Sequence, residues 1–359
     1  MAKLFGKSFM PSAVAARVGR VDQVAGARPF VFDDGPGRGM RGIDVWTGSG
    51  LQFTVLPDRG MDIGAASVAG RAMAWQSNVG FVRPERYEPA GLGWIRSFGG
   101  GLVATCGLRH FGVPADDDGE AWGLHGRASS LSAEDVKIER GWEGGEYAIR
   151  VSGRIAETGV FKPALALDRT VATAMGAREF LITDRVTNVS FRDSTLMLLY
   201  HVNLGWPLLS QKSRFLVNPA SVKPRTDHAA ADLARHTEML PPTAGFEEQV
   251  YLIEPRAGAD GLCRAALVNP DLDGGTALEV AWPKAAMPYL TQWKMMGQGE
   301  YVLGIEPCNA PLLPRAELRE RGLMPALGPG ESLETGLTIR VHQGAAELRK
   351  LEKTIRSRR

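Results

Sequence analysis

Cysteine is scarce in this chain of 359 residues, and the three that occur lie far apart, at Cys106, Cys263 and Cys308. An odd number of widely spaced thiols argues against a disulfide framework or a zinc knuckle and fits a reducing compartment. The six histidines and three cysteines include no close pair of metal ligands. We therefore expect no structural metal.

The sequence also lacks an excess of charge and a long apolar run. Its formal net charge is +2, which gives no reason to expect a nucleic acid or an anionic membrane as a partner. No stretch approaches the roughly 18 apolar residues that span a membrane. The opening residues MAKLFGKSFM lack the apolar centre of a signal peptide. We expect a cytoplasmic protein, and the sequence leaves its oligomeric state open.

Helical periodicity is rare, whereas the alternation of apolar and polar residues that is typical of half-buried antiparallel strands recurs. It occupies residues 147–155, 165–171, 180–186 and 333–341, and 43 glycines and 22 prolines supply turn residues between such runs. Many short strands and few helices predict an all-β fold, either a sandwich or a barrel.

A helical pattern is found only at residues 229–235 and 345–359. No internal repeat and no Ser-rich or charge-rich linker divides the chain. We therefore predict a single domain over residues 1–359, with a lead-in over about 1–40 and a C-terminal helix over about 345–359.

Polar residues interrupt two apolar runs. His201 and Asn203, within 198–209, are two positions apart and so point to one face of a predicted strand. The alternative is a core histidine whose hydrogen bonds are satisfied by its neighbours. Glu306 ends the apolar run that starts at Tyr301. A carboxylate so placed is seldom buried unless it is paired or has a function.

Basic residues and a second histidine lie in three other segments. His125 and Arg127 share one face if their segment is extended, and a solvated loop is the alternative. Arg59 follows a strand-like run, where a surface turn with an Asp–Arg pair is the alternative. Lys294 precedes the run that ends at Glu306. Burial would raise the pKa of Glu306, whereas any of these cations nearby would lower it.

Four motifs, in this order along the chain, together resemble the aldose 1-epimerase (galactose mutarotase-like) superfamily, and in particular a divergent bacterial branch of it. They are the Leu-His-Gly-Arg run around His125, the run 184–204 with Thr-Asn and then Tyr-His-Val-Asn-Leu, the Gly-Ile-Glu-Pro run 304–307, and the Gly-Pro-Gly-Glu turn 328–331. The resemblance covers almost the whole chain beyond residue 40. It implies a large antiparallel β-supersandwich with the site on one concave face.

The resemblance also implies roles for single residues. Glu306 matches the superfamily's general base and His201 its general acid, while His125 matches the histidine that binds and orients the sugar. Arg59 corresponds to a superfamily arginine. The substrate-binding aspartate of the superfamily has no clear counterpart, although Glu247 and Glu248 lie in its region.

Anomer interconversion is chemistry that these residue types can perform. It needs a base at the anomeric hydroxyl and an acid at the ring oxygen, which we expect on opposite sides of the sugar, and it requires no metal or organic cofactor. A histidine that titrates near neutral pH suits the acid. The flat faces of Trp206 and Trp293 suit the carbons of a sugar ring, although both could be core residues.

The sequence therefore predicts an isomerase that interconverts the anomers of a small sugar. The predicted catalytic residues are His201 and Glu306, and the predicted substrate-binding residues are His125, Arg59, Arg127, Lys294 and Asn203. Two alternatives stay open. One is a carbohydrate-binding protein that kept the fold and lost turnover. The other is an isomerase or lyase acting on a modified or acidic sugar, for which the basic residues Arg59, Arg127 and Lys294 would be suited.

Overall fold

A computed structural model describes residues 1–117 and 119–357. Over these residues the chain forms 25 strands and four short α-helices. The helices are α1 (Pro11–Ala15), α2 (Asp227–Ala231), α3 (Arg315–Glu320) and α4 (Ala345–Arg356). The strands up to residue 188 are β1 (Ala2–Leu4), β2 (Lys7–Phe9), β3 (Gly26–Val31), β4 (Arg41–Trp46), β5 (Leu51–Leu56), β6 (Asp62–Val68), β7 (Arg71–Ala72), β8 (Val103–Cys106), β9 (Ala115–Asp117), β10 (Glu120–Trp122), β11 (Glu134–Glu143), β12 (Glu146–Glu157), β13 (Leu165–Ala174) and β14 (Glu179–Asn188).

The later strands are β15 (Ser194–Thr195), β16 (Leu199–Leu204), β17 (Arg214–Val217), β18 (Pro219–Pro224), β19 (Gln249–Pro255), β20 (Leu262–Asn269), β21 (Thr276–Pro283), β22 (Tyr289–Gly297), β23 (Glu300–Cys308), β24 (Ala326–Leu327) and β25 (Ser332–Gln343).

Two large antiparallel sheets contain most of these strands. The eleven-stranded sheet has the order β18-β19-β22-β23-β16-β8-β6-β5-β4-β3, with β7 paired to β6. The eight-stranded sheet has the order β11-β12-β13-β14-β25-β21-β20-β17. The predicted antiparallel all-β fold with few short helices is confirmed.

Alternating burial explains why these segments form strands. In β14, Phe180, Ile182 and Val186 are buried, while Leu181 and Arg185 face solvent. The buried set belongs to one large apolar cluster with strands of the eleven-stranded sheet. Each strand therefore removes one apolar face from water, which is the main favourable contribution to the fold.

A buried polar cluster also joins the two sheets. Arg169 on β13 donates two hydrogen bonds to the carboxylate of Asp184 on β14, at 2.8 and 2.6 Å. From the eleven-stranded sheet, Tyr200 Oη donates to Asp184 at 2.7 Å, and Thr105 Oγ1 accepts from Arg169 at 2.8 Å. Tyr200 thus points toward the eight-stranded sheet, so its neighbour His201 points away from it.

The helices only partly follow the predictions. α4 ends at Arg356, and its residues Leu348, Leu351 and Ile355 form an apolar cluster with β17, β20 and β21; the predicted continuation to residue 359 passes beyond the described residues. The predicted helix 229–235 is instead split into α2 and a 3-10 turn over Leu233–Arg235. In the part of the chain that the structure describes, no helix is long and apolar enough to cross a membrane.

Candidate active site

Strand register brings His201 and Glu306 together. Val202 of β16 pairs with Ile305 of β23, and Leu199 pairs with Cys308, so His201 lies opposite Glu306. Both side chains project from the face of the eleven-stranded sheet that is turned away from the eight-stranded sheet. A separation of 105 residues in the sequence is thereby reduced to neighbouring positions on adjacent strands.

The two side chains are in contact and almost fully buried. His201 Nε2 lies 3.2 Å from Glu306 Oε1, and the two residues are 5% and 2% exposed. Glu306 Oε1 nevertheless has no hydrogen-bond partner with suitable geometry among the described residues. A buried carboxylate oxygen in this condition is costly unless a ligand or a proton satisfies it. The acid and base expected on opposite sides of a sugar are thus found side by side.

Gly304 makes room for the carboxylate. It lies two residues before Glu306 on the same face of β23 and pairs with Trp293 of β22 and Asn203 of β16. A Cβ atom at this position would overlap Glu306 Oε1 and would lie 2.9 Å from Trp293 Cβ. The carboxylate therefore folds back over the strand into space that any side chain at 304 would occupy.

Asn203 fixes the tautomer of His201. Asn203 Nδ2 donates to the carbonyl oxygens of Gly101 at 3.0 Å and of His201 at 2.9 Å, so the amide has one sensible orientation. Its Oδ1 faces His201 Nδ1 at 2.5 Å and can only accept. Nδ1 therefore carries a proton, and Nε2 is the atom that gains or loses one. Asn203, predicted as a sugar contact, is instead fully buried and engaged by these bonds.

His125 lies beside the pair from a different part of the chain. Its ring centroid is 5.8 Å from that of His201 and 4.7 Å from that of Trp94. Its backbone φ of 58° is in the left-handed region, which is uncommon for histidine and is found in turns and at functional sites. Its Nδ1 is buried without a partner among the described residues.

The segment around His125 is a turn and not the extended conformation that would put His125 and Arg127 on one face. Because both His125 and Gly126 have positive φ, His125 and Arg127 do not share a face. Arg127 is exposed and lines a separate depression with Glu157. The structure therefore does not place Arg127 with the histidines and Glu306.

Lys294 is also turned away from the pair, and its contact with a sugar stays a prediction. It neighbours Trp293 on β22, so the two side chains project from opposite faces. Trp293 faces His201, with ring centroids 5.4 Å apart. Lys294 is fully buried on the other face, where its Nζ lies 3.3 Å from Asp232 Oδ2.

Arg59 is buried, and its Nη1 donates to the carbonyl oxygen of Val82 at 2.7 Å. Burial lowers its pKa, which the nearby Asp62 raises in part. Because the side chain of Arg59 is buried, the alternative of an Asp–Arg pair in a surface turn is excluded. Its contact with a sugar stays a prediction.

Aromatic rings surround His201. Trp94 and Phe98 stack at 4.1 Å, and their centroids lie 6.3 and 5.2 Å from that of His201. Trp293 is half-buried, as a residue at the mouth of the site would be. Trp206, the other predicted stacking residue, is 72% exposed and lies outside this set of rings. The surroundings are therefore apolar, with little water to support a charge on the pair.

Two charged residues that sequence reasoning did not assign lie at the edge of the site. Glu248 accepts a hydrogen bond from Trp293 Nε1 at 2.7 Å. It is also near enough to Glu306 to raise the pKa of that carboxyl group, whereas Arg225 lowers it. Glu248 had a signal, because it lies in the region of the superfamily's substrate-binding aspartate. Arg225 had no such signal in the sequence, because only the pairing of strands brings it near Glu306.

Burial sets the protonation of the pair. It raises the pKa of Glu306 well above its ordinary value and lowers the pKa of His201 to about 4, against a smaller opposing effect of the hydrogen bond to Asn203. Both shifts favour a neutral imidazole beside a protonated carboxyl group in the free protein. The lowered pKa of His201 thus departs from the near-neutral titration that the sequence led us to expect.

No group of three or more His, Cys, Asp or Glu side chains is arranged to hold a metal ion within residues 1–117 and 119–357. That the protein needs neither metal nor cofactor stays a prediction.

Solved structures with the same fold include proteins named as aldose 1-epimerases or as galactose mutarotase-like proteins. A candidate aldose 1-epimerase from Klebsiella pneumoniae is 28% identical, with a TM-score of 0.87 over 93% of this chain and 89% of that one. A galactose mutarotase-like protein from Clostridium acetobutylicum has a TM-score of 0.64 at 12% identity, over 89% and 99% of the two chains. Galactose 1-epimerase from Lactobacillus acidophilus has a TM-score of 0.56 at 13% identity, again over 89% and 99%.

The predicted resemblance to the galactose mutarotase-like superfamily is thus confirmed at the level of the fold. The chain belongs to the family described as domain of unknown function DUF4432, which matches residues 37–341. No curated protein sequence matches it.

Proposed function

We propose that this protein is an aldose 1-epimerase-like isomerase that interconverts the anomers of a sugar. The observation that supports this most is the buried contact between His201 Nε2 and Glu306 Oε1, at 3.2 Å, with His125 alongside. A base and an acid so close suit the anomeric centre, because its hydroxyl oxygen and the ring oxygen are bonded to the same carbon.

Ring opening uses the ionic form of the pair. The carboxylate of Glu306 accepts the proton of the anomeric hydroxyl while its oxygen forms the aldehyde C=O bond. The bond from the anomeric carbon to the ring oxygen breaks, and the ring oxygen takes the proton of His201 Nε2. Positioned proton transfer of this kind contributes about 10²–10⁴-fold to a rate.

Ring closure uses the neutral form. After rotation about the C1–C2 bond, the open-chain hydroxyl attacks the other face of the aldehyde and gives its proton to His201 Nε2. The carboxyl group of Glu306 returns its proton to the aldehyde oxygen. The pair therefore alternates between ionic and neutral forms, and hydroxyls of a bound sugar that hydrogen-bond the carboxylate would favour the ionic one.

The pair argues against a protein that only binds sugar. Recognition needs hydrogen-bond donors and acceptors, but it does not need a buried carboxylate oxygen without a partner beside an imidazole whose tautomer is fixed. A carboxylate oxygen left without a partner would cost about 1–3 kcal/mol, whereas a carboxyl proton shared with His201 Nε2 removes that cost and is the proton that catalysis needs. The cytoplasmic location and the small sugar as partner remain predictions.

The proposal is tested by NMR magnetisation transfer between the α and β anomers of neutral, acidic and phosphorylated aldoses, with and without wild-type protein. We expect exchange of at least one class to exceed the spontaneous rate in proportion to the protein concentration. A protein that binds a sugar without accelerating exchange would be a binding protein. One that converts a sugar to a different compound without equilibrating its anomers would be an enzyme of other chemistry.

A further inference from the structure

A groove adjoins the catalytic pair on the same face of the eleven-stranded sheet. Register carries one row of side chains from Glu306 through Thr291 and Leu252 to Lys223, each on the next strand. Beyond Glu306 these side chains help to line a cavity of about 560 Å³, whose wall is formed by residues of the segment 311–323. The cavity therefore begins at Thr291, one strand away from Glu306.

Arg225 connects this groove to the site. It lines the cavity and is close enough to lower the pKa of Glu306. It also lowers the pKa of His125, after the larger effect of burial and those of His201 and His110. Its side chain is exposed. Among the described residues its guanidinium makes no hydrogen bond or ion pair, so its five donors are available to a ligand.

The other charges in the groove leave a cationic surplus. Arg321 forms an ion pair with Glu317 at 2.5 Å, so the two charges cancel each other. Lys223, like Arg225, makes no ion pair within the described part of the chain, and Glu254 is the remaining carboxylate of the lining. Two available cations against one carboxylate, with leucine and proline side chains in the wall, favour an anionic ligand over a neutral one.

We propose that this groove receives an anionic group, a carboxylate or a phosphoester, carried by the sugar away from its anomeric carbon. The inference rests on the proposed function, since it places the anomeric carbon at His201 and Glu306. Arg225 is the principal contact, because a planar guanidinium matches the paired oxygens of either group. Lys223 adds charge further along the row. The protein is then an epimerase of acidic sugars rather than of neutral ones.

The test compares an aldose with its uronic acid and with its 6-phosphate. For each, kcat/KM of anomer exchange is measured for wild type, Arg225→Gln, Arg225→Lys and Arg349→Gln. Arg349 is an exposed arginine of α4, which packs on the other sheet, and serves as the matched control. The readout is the ratio of acidic to neutral kcat/KM, because any effect of Arg225 on Glu306 itself divides out of it.

We expect wild type to prefer at least one acidic sugar, and whichever acid is preferred identifies the group. Arg225→Gln should lower the ratio about tenfold or more, in line with the loss of a charged hydrogen bond. Arg225→Lys should retain part of the wild-type preference for the acidic sugar, and Arg349→Gln should retain all of it. A ratio near one in wild type, or one unchanged by Arg225→Gln, overturns the inference and leaves the proposed function standing.

If no sugar is exchanged at all, the proposed function fails, and binding then decides the inference. Saturation-transfer NMR would compare the same three sugars on wild type and Arg225→Gln. Preferential binding of an acidic sugar that the substitution abolishes supports the groove as an anion site. Equal binding of neutral and acidic sugars, or binding of none, overturns it.

Discussion

At the scale of single residues, the position of the proton on the imidazole ring of His201 decides which nitrogen can take part in proton transfer. Because Asn203 Nδ2 has two carbonyl acceptors, its Oδ1 must accept from His201 Nδ1, and this leaves Nε2 facing Glu306. The sequence predicted that His201 and Asn203 share a face, and they do. It could not predict that the amide binds the imidazole rather than the sugar, because both arrangements need the same spacing of two residues.

Exchange should be nearly independent of pH across the range in which an ordinary histidine titrates. The lowered pKa of His201, about 4, means that the pair takes up a second proton only below that value. The raised pKa of Glu306 means that its last proton leaves only well above the ordinary carboxyl range. One proton therefore stays on the pair between these limits. The measurement is kcat/KM against pH with the spontaneous rate subtracted. A one-proton limb between pH 6 and 7, as for an ordinary histidine, would contradict this assignment.

His125→Asn should weaken binding more than it slows the chemical step. Asparagine tolerates the left-handed backbone at this position, so the turn is retained while the imidazole is lost. We expect KM to rise about three- to tenfold, the value of one hydrogen bond, with a smaller change in kcat. His228→Asn, at an exposed position of α2, is the control. A fall in kcat as large as that for Glu306→Gln would instead assign His125 to proton transfer.

At the scale of single elements, β23 contributes both the carboxylate and the space that it occupies. Strand alternation puts Gly304 and Glu306 on one face, and the glycine leaves the volume into which the carboxylate turns. The sequence motif contained both residues. The motif alone does not show that this volume is confined, because its other side is closed by Trp293 on the neighbouring strand.

Gly304→Ala should displace the Glu306 carboxylate without unfolding the strand. The new Cβ overlaps Oε1, and Trp293 Cβ at 2.9 Å blocks movement to that side. We expect exchange to fall at least about tenfold, as small misplacements of catalytic groups are costly. Gly141→Ala on β11, where a Cβ meets nothing within 4 Å, is the control. A Gly304→Ala variant as active as Gly141→Ala would show that the position of the carboxylate does not matter.

The positions of many strands could be predicted from the alternation of apolar and polar residues, whereas the pairing of those strands could not. The alternating runs at 147–155, 165–171, 180–186 and 333–341 all lie within observed strands. Alternation does not state which face turns toward the site, however. Trp293 and Lys294 are adjacent on β22, so at most one of them can lie beside His201, and the alternation does not say which.

At the scale of the whole molecule, polar residues between the sheets secure their relative position. Arg169 and Asp184 belong to the eight-stranded sheet. On the other sheet, Tyr200 belongs to β16, the strand that carries His201, and Thr105 belongs to the adjacent strand β8. The sheet that carries the site is thus tied to its partner directly behind the catalytic histidine.

Asp184→Asn should destabilise the fold by about 3–5 kcal/mol, because it removes the carboxylate that accepts two hydrogen bonds from the buried Arg169 and leaves that charge only the more distant Asp62, at 3.5 Å. Asp168→Asn is the matched control. Asp168 precedes Arg169 on the opposite face of β13 and pairs with Arg154, both side chains being 45% exposed, so its loss should cost about 0–1 kcal/mol. Urea unfolding of both variants makes the comparison. Equal midpoints would show that the buried cluster contributes no more than a surface pair.

The ordered motifs were sufficient to predict the fold, because each needs only its local sequence. Arg225 could not be predicted, since its approach to the site depends on three successive strand pairings, β18 with β19, β19 with β22, and β22 with β23, over about eighty residues of chain. The single domain over the whole chain stays a prediction, supported by an apolar cluster that contains residues from both large sheets.

The most direct test of the central claim is the rate of anomer exchange in Glu306→Gln, His201→Asn and the double variant, each with a folding check by circular dichroism and urea unfolding. Glutamine keeps the shape of the side chain but cannot accept the proton. The account predicts that each single variant loses about 10²–10⁴-fold in exchange. The double variant should lose little more, because the two groups act as one unit. A well-folded Glu306→Gln variant that exchanges anomers at the wild-type rate would contradict it.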